Sequence, residues 1–148
     1  MAVPDTRATT LFGGRCHCGN LQYAMVWPSA VSLTLRACGC GYCSRHGAAW
    51  ISHPDAPVEL IIRDSDLVLA YRFGTASADF LSCRRCGILT LARADIAGHA
   101  YAVLNANTLA SVDPRECARV ATDFDGEDRD QRRARRQRNW SPLNVVLQ

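Results

Sequence analysis

Seven of the eight cysteines lie in three short clusters: Cys16-x-Cys18, Cys38-x-Cys40-x-x-Cys43 and Cys83-x-x-Cys86. Cys117 stands alone. Thiols grouped at this spacing suit a soft metal ion. Thiolate is among the commonest ligands of zinc, which takes four in a tetrahedron. The two pairs sum to one closed set of four, the structural kind of site. The triplet sums to three and leaves a position open, as in sites that react or bind a ligand. Gly19 and Gly87 directly follow the two pairs, as expected of tight turns that need positive φ. The triplet could instead share two thiols with either pair, but the pairs look alike and the triplet differs. The sequence therefore assigns Cys16, Cys18, Cys83 and Cys86 to a structural zinc, and Cys38, Cys40 and Cys43 to a second, open one. Ferredoxin spacings are absent, and Cys117 fits a buried apolar role.

These clusters sit in a chain of 148 residues, 48% apolar and 21% charged, which fits one ordinary globular domain. No apolar run is long enough to span a membrane. The first residues lack a basic start followed by an apolar stretch, so no export signal is expected and the reading is cytoplasmic. In a reducing compartment clustered thiols bind metal more often than they pair. The net charge is +3 and every cationic side chain is arginine. Without lysine there can be no lysine Schiff base and no P-loop lysine.

The elements that must hold the cysteines read as short strands. Apolar stretches at 21–27, 32–37, 49–52, 58–62, 67–73, 78–82, 88–92 and 101–105 are separated by turn signals. Asp64-Ser65-Asp66 reads as a hairpin turn between two of them. Such spacing predicts a mainly β fold. Helical periodicity is convincing nowhere, and the best candidate is a short helix over 113–120, with Asp113 as N-cap and Pro114 following it. The domain is placed at 1–121, with its core at 12–109. Residues 122–148, acidic at 123–128 and then arginine-rich at 132–138, read as a charged tail or surface segment. An arginine block without interleaved aromatics is poor evidence for nucleic-acid binding.

Gly14-Arg15-Cys16-His17-Cys18-Gly19, Cys38-Gly39-Cys40-Gly41-Tyr42-Cys43-Ser44-Arg45-His46-Gly47, Tyr71-Arg72-Phe73-Gly74 and Cys83-Arg84-Arg85-Cys86-Gly87 together resemble the glutathione-dependent formaldehyde-activating enzyme family, which includes centromere protein V-like proteins. The likeness runs from about Phe12 to Leu109. It implies an Mss4-like zinc-binding β fold and the same two zinc sites, the second beside a glutathione-binding surface. It also implies a carbon–sulfur lyase that joins formaldehyde to glutathione as S-hydroxymethylglutathione. The chain departs from the family pattern at Gly41, where serine is usual, and at Ser82, where an aromatic is common. The segment from Ala121 onward follows no pattern of the family.

A zinc held by three thiolates could take a glutathione sulfur at its open position and hold it as thiolate at neutral pH. Arginine binds carboxylates in a two-pronged fashion, so Arg45, two residues after Cys43, is the first candidate for the substrate carboxylate. His46 is the candidate proton carrier. His17 is expected to point away from the structural metal, and Tyr42 and Trp50 to pack in the core or line the pocket. The expected partner is glutathione or another small thiol, without membrane or nucleic acid. The alternative reading is a zinc-stabilised module that binds a thiol or a partner without turnover.

Overall fold

In β2 (Leu21–Pro28), Leu21, Tyr23, Met25 and Trp27 are buried while the residues between them are less so. This period-two pattern sets one face of a strand on a core. The computed structural model describes residues 8–148, and eleven strands account for most of its regular structure. They are β1 (Thr9–Arg15), β2, β3 (Thr34–Cys38), β4 (Trp50–Ile51), β5 (Val58–Ile62), β6 (Val68–Tyr71), β7 (Asp79–Cys83), β8 (Leu89–Ile96), β9 (His99–Asn105), β10 (Ala118–Thr122) and β11 (Ser141–Leu147). Two α-helices, α1 (Gly41–His46) and α2 (Arg129–Asn139), complete it with three short 3-10 turns. The fold is mainly β, as expected, and consistent with the Mss4-like type.

The strands run in the order β1-β2-β5-β11-β9-β4-β3-β10, and β8, β7 and β6 extend outward from the other side of β9. β11 joins the two parts. Its first residues pair antiparallel with β9, and Leu143–Leu147 pair parallel with β5. The main core includes Leu21, Met25, Leu35, Leu60, Leu91 and Leu104, all fully buried. A second apolar cluster gathers Cys43, Trp50, Leu89, Ala92, Val103 and Trp140.

Three sequence expectations are corrected. The turn at Asp64-Ser65-Asp66 does not join a hairpin. It is a 3-10 turn (Ser65–Leu67) capped by the Asp64 carboxylate, after which the chain leaves one sheet for another. β5 pairs with β2 and β11, and β6 pairs with β7. The helix expected over 113–120 shrinks to the 3-10 turn Pro114–Glu116, capped by Asp113 as foreseen. Its second half is β10, where Val120 and Thr122 favour extended backbone and pair parallel with β3.

The third correction is the largest. Residues 122–148 are neither a tail nor separate from the domain. β10 runs through the expected boundary, α2 follows, and β11 enters the sheet between β5 and β9. α2 carries a full capping box: Asp128 accepts from the Gln131 amide at 2.8 Å, and the Gln131 side chain accepts from the Asp128 amide at 3.0 Å. Its inward face is built from arginine, so apolar periodicity could not reveal it.

A chain ending at Trp140 should therefore lose cooperative folding, because β5 and β9 lose their shared neighbour. Urea unfolding followed by far-UV circular dichroism checks this. A native-like cooperative transition in the truncated chain would contradict the placement of β11.

Candidate metal centres

The first centre is built by two hairpin turns of similar design. β1 and β2 are joined across Cys16 to Asn20, and β7 and β8 across the turn after Cys83. In the first turn the Cys16 amide donates to the Leu21 carbonyl at 3.0 Å, and the Leu21 amide donates to Cys16 Sγ at 3.4 Å. In the second the Cys83 amide donates to the Ile88 carbonyl at 3.1 Å. Each turn closes on its glycine: Gly19 donates to Cys16 and Gly87 to Cys83, with φ of 85° and 78°. A side chain at either glycine would be strained.

These turns bring the sulfurs of Cys16, Cys18, Cys83 and Cys86 within 4.8 Å of one another. Cys16 and Cys18 lie 3.8 Å apart, and Cys18 and Cys83 3.5 Å. A tetrahedral ion with sulfur at about 2.3 Å needs sulfur–sulfur edges of about 3.8 Å. The four residues thus fit one metal ion with no position left over. Burial pushes the Cys16 thiol up to about 11 and also raises Cys83. The Asn20 amide lowers Cys18. At Cys86 burial works upward, but amides of Cys18 and Ile88 bring the thiol down to about 6. Two of the four thiols are thus shifted down and two up, and a dication would displace whatever protons remain. His17, between the first two ligands, is exposed and takes no part in the cluster.

The second centre lies where β3 ends. Cys38 is the last residue of β3, Cys40 is the N-cap of α1, and Cys43 lies in its first turn. The Cys43 amide donates to Cys40 Sγ at 3.3 Å, so the cap sulfur closes the helix start. Gly47 ends α1 in the left-handed conformation, with φ of 59°. The three sulfurs lie within 4.8 Å of one another and could hold a metal ion. The Cys43 thiol donates to Cys38, which holds Cys38 down at about 5. The same bond, together with burial, raises Cys43. No further cysteine, histidine or carboxylate joins the set among the described residues.

This cluster opens into a cavity of about 760 Å³. Tyr42, Phe73 and Phe80 form an aromatic wall, with ring centroids 4.9 Å apart for each pair. Tyr42 and Trp50 both line the cavity while packing on the second apolar cluster. Arg45 also lines it but is exposed, and its Nη1 donates to the Gly41 carbonyl at 2.8 Å. A side chain at Gly41 would touch that guanidinium. His46 is exposed with its ring against Tyr42, and it does not line the cavity. Cys117 belongs to neither cluster and packs on the main core, as expected of a lone apolar thiol.

Reading the sequence missed Arg36, Arg132, Arg135, Arg136 and Trp140, all of which line the cavity. A signal was present: positions 132, 135 and 136 lie at i, i+3 and i+4, and 140 is one turn beyond 136. This is one face of a helix, hidden by its charge.

No protein-family profile and no curated protein matches the chain. A crystal structure of a Rhodobacter sphaeroides protein, a structural-genomics target, is similar at 28% identity with a TM-score of 0.56. The match covers 74% of this chain and 99% of that one. Its description gives no activity.

The thiol order in the second centre is testable. In metal-free protein at neutral pH, Cys38 is the thiolate and Cys43 the thiol. Iodoacetamide should modify Cys38 first, and the rate should fall as pH drops through about 5. Mass spectrometry of labelled peptides reads this directly. A labelling midpoint near the ordinary thiol value of 9.0 would refute it.

Proposed function

We propose that the protein is a zinc-dependent enzyme of the carbon–sulfur lyase type, acting on glutathione or a glutathione adduct of the S-hydroxymethylglutathione class. The observation that carries this reading is the three-thiol cluster in the wall of a ligand-sized cavity. All-thiolate donor sets favour zinc among common divalent ions. Cys16, Cys18, Cys83 and Cys86 would hold a structural zinc, and Cys38, Cys40 and Cys43 a second. A zinc at the second centre would supply acidification of a bound thiol, so that the substrate sulfur is a thiolate at neutral pH. Tyr42, Phe73 and Phe80 line the same cavity, as do Arg132, Arg135 and Arg136 of α2. The family resemblance of the cysteine motifs points the same way.

A second reading has its own support. Neither His46 nor any other histidine lines the cavity, so no imidazole is placed there as a proton carrier. A module that holds a thiol without turning it over fits that observation.

Metal analysis of protein purified without chelator should give two zinc ions per chain. Cys40→Ser should reduce this to one and leave the melting temperature within a few degrees, since the four-thiol centre is intact. Formation of S-hydroxymethylglutathione above the spontaneous rate, lost in Cys40→Ser, would establish the enzyme. Two zincs and unchanged turnover in Cys40→Ser would overturn the assignment of the open site. Two zincs with no rate above background would favour the binding module.

A further inference from the structure

The cavity wall is electrically unbalanced. Arg36, Arg132, Arg135 and Arg136 all line it, and none is exposed. The carboxylate in that wall that is not exposed belongs to Glu127. It is already engaged: Arg135 Nε donates to both its oxygens at 2.9 and 3.0 Å, and Arg132 Nε approaches at 3.8 Å. Arg135 also lies over the Phe124 ring. Asp125, the other carboxylate of the wall, is exposed.

Arg36 and Arg136 have no carboxylate partner among the described residues. Arg136 is only 6% exposed. Its Nη1 donates to Ser77 Oγ at 2.7 Å, its guanidinium sits 4.9 Å from the Trp140 ring, and its Nε has no partner. Arg36 Nη2 donates to Ser52 Oγ, and that hydroxyl donates to the Asn139 carbonyl at 2.7 Å. This bond ties Arg36 to the end of α2. Burial pulls Arg136 down only to about 10, so it is cationic at neutral pH. A buried guanidinium at Arg136 and a half-buried one at Arg36, each held by a neutral hydroxyl, are costly unless an anion completes them.

Arg36 also lies two residues before Cys38 on β3, on the same face of the strand and about 7 Å along it. We infer that the cavity binds an acidic thiol or thiol adduct, whose carboxylate seats on Arg136 and Arg36 while its sulfur meets Cys38, Cys40 and Cys43. The aromatic wall of Tyr42, Phe73 and Phe80 would cover an apolar middle. This inference rests on the open thiol-binding centre proposed above. It moves anion recognition from Arg45, exposed and turned back on its own helix, to α2 and β3. Guanidinium forks match a carboxylate with two parallel bonds, which amide or hydroxyl groups cannot replace.

The test uses protein loaded with cobalt, whose sulfur charge-transfer absorption reports thiol ligation. Two probes of equal size are compared, 4-mercaptobenzoate and 4-mercaptobenzamide. The acid should bind about tenfold or more tightly than the amide, the scale expected of a charge-assisted pair. Arg136→Gln should abolish the preference, and Arg136→Lys should keep part of it. Benzoate, which has no thiol, should compete with the acid in the wild-type protein, so the test stands even if Arg136→Gln does not fold. Competition by inorganic phosphate as strong as by benzoate would overturn the carboxylate assignment. Equal binding of acid and amide would overturn the anion subsite and leave the thiol centre standing. Failure of either thiol to change the cobalt spectrum would overturn the thiol centre itself, and this inference with it.

Discussion

The convergence of four sulfur atoms from two hairpins is the constraint on which the rest of the molecule depends. Cys16 and Cys18 come from the turn between β1 and β2, and Cys83 and Cys86 from the turn between β7 and β8. These hairpins lie in different parts of the sheet, one beyond β5 and one beyond β9. Cys16 and Cys83 are also members of the main core. Four thiols at this separation cannot all ionise without a cation among them. The directions of their shifts show the conflict, with Cys16 and Cys83 pushed up and Cys18 and Cys86 pulled down. A metal ion held there would resolve it and become part of folding.

The second cluster depends on that frame but is set differently. One strand end and one short helix supply all three of its thiols, so it does not tie distant elements together. Its position is fixed by β4 and β10 on either side of β3, through the pairing of Arg36 with Trp50 and of Cys38 with Thr122. The Gly39 amide donates to the Thr122 carbonyl at 3.0 Å, which holds the chain as it leaves the strand. The trio comes from one strand end and one helix and lines an open cavity, whereas the quartet joins two hairpins and leaves no position over.

How much of this was legible follows from the kind of signal each part carries. The grouping of cysteines into four and three is a matter of spacing along turns, so the sequence held it fully. Strands β2 and β5 were equally readable, because alternation and β-branched residues mark them without tertiary help. β10 was missed because Asp113 and Pro114 advertise a helix start that continues for only one 3-10 turn. β11 was missed because Pro142 and Asn144 disguise a strand that is half a parallel ladder and half an antiparallel one. The arginine face of α2 was missed for a deeper reason. Hydrophobic periodicity looks for apolar side chains toward the core, and here the buried face is cationic because it meets a cavity.

That cationic face changes how the segment after residue 122 should be weighed. An arginine block in a sequence is ordinarily a solvated surface, and its charge is then screened and cheap. Here Arg136 is buried, Arg132 and Arg135 share one glutamate, and the helix that carries them is fixed by a capping box and by the strand that follows. Burying guanidinium groups at such a place opposes stability, and no part of the β frame requires it. Leucine at 136 would pack on Trp140 at no electrostatic cost. The arginines are therefore better explained by what the cavity receives than by what the fold needs. A cavity lined by both a three-thiol cluster and guanidinium groups without a carboxylate partner would select ligands by charge as well as by sulfur.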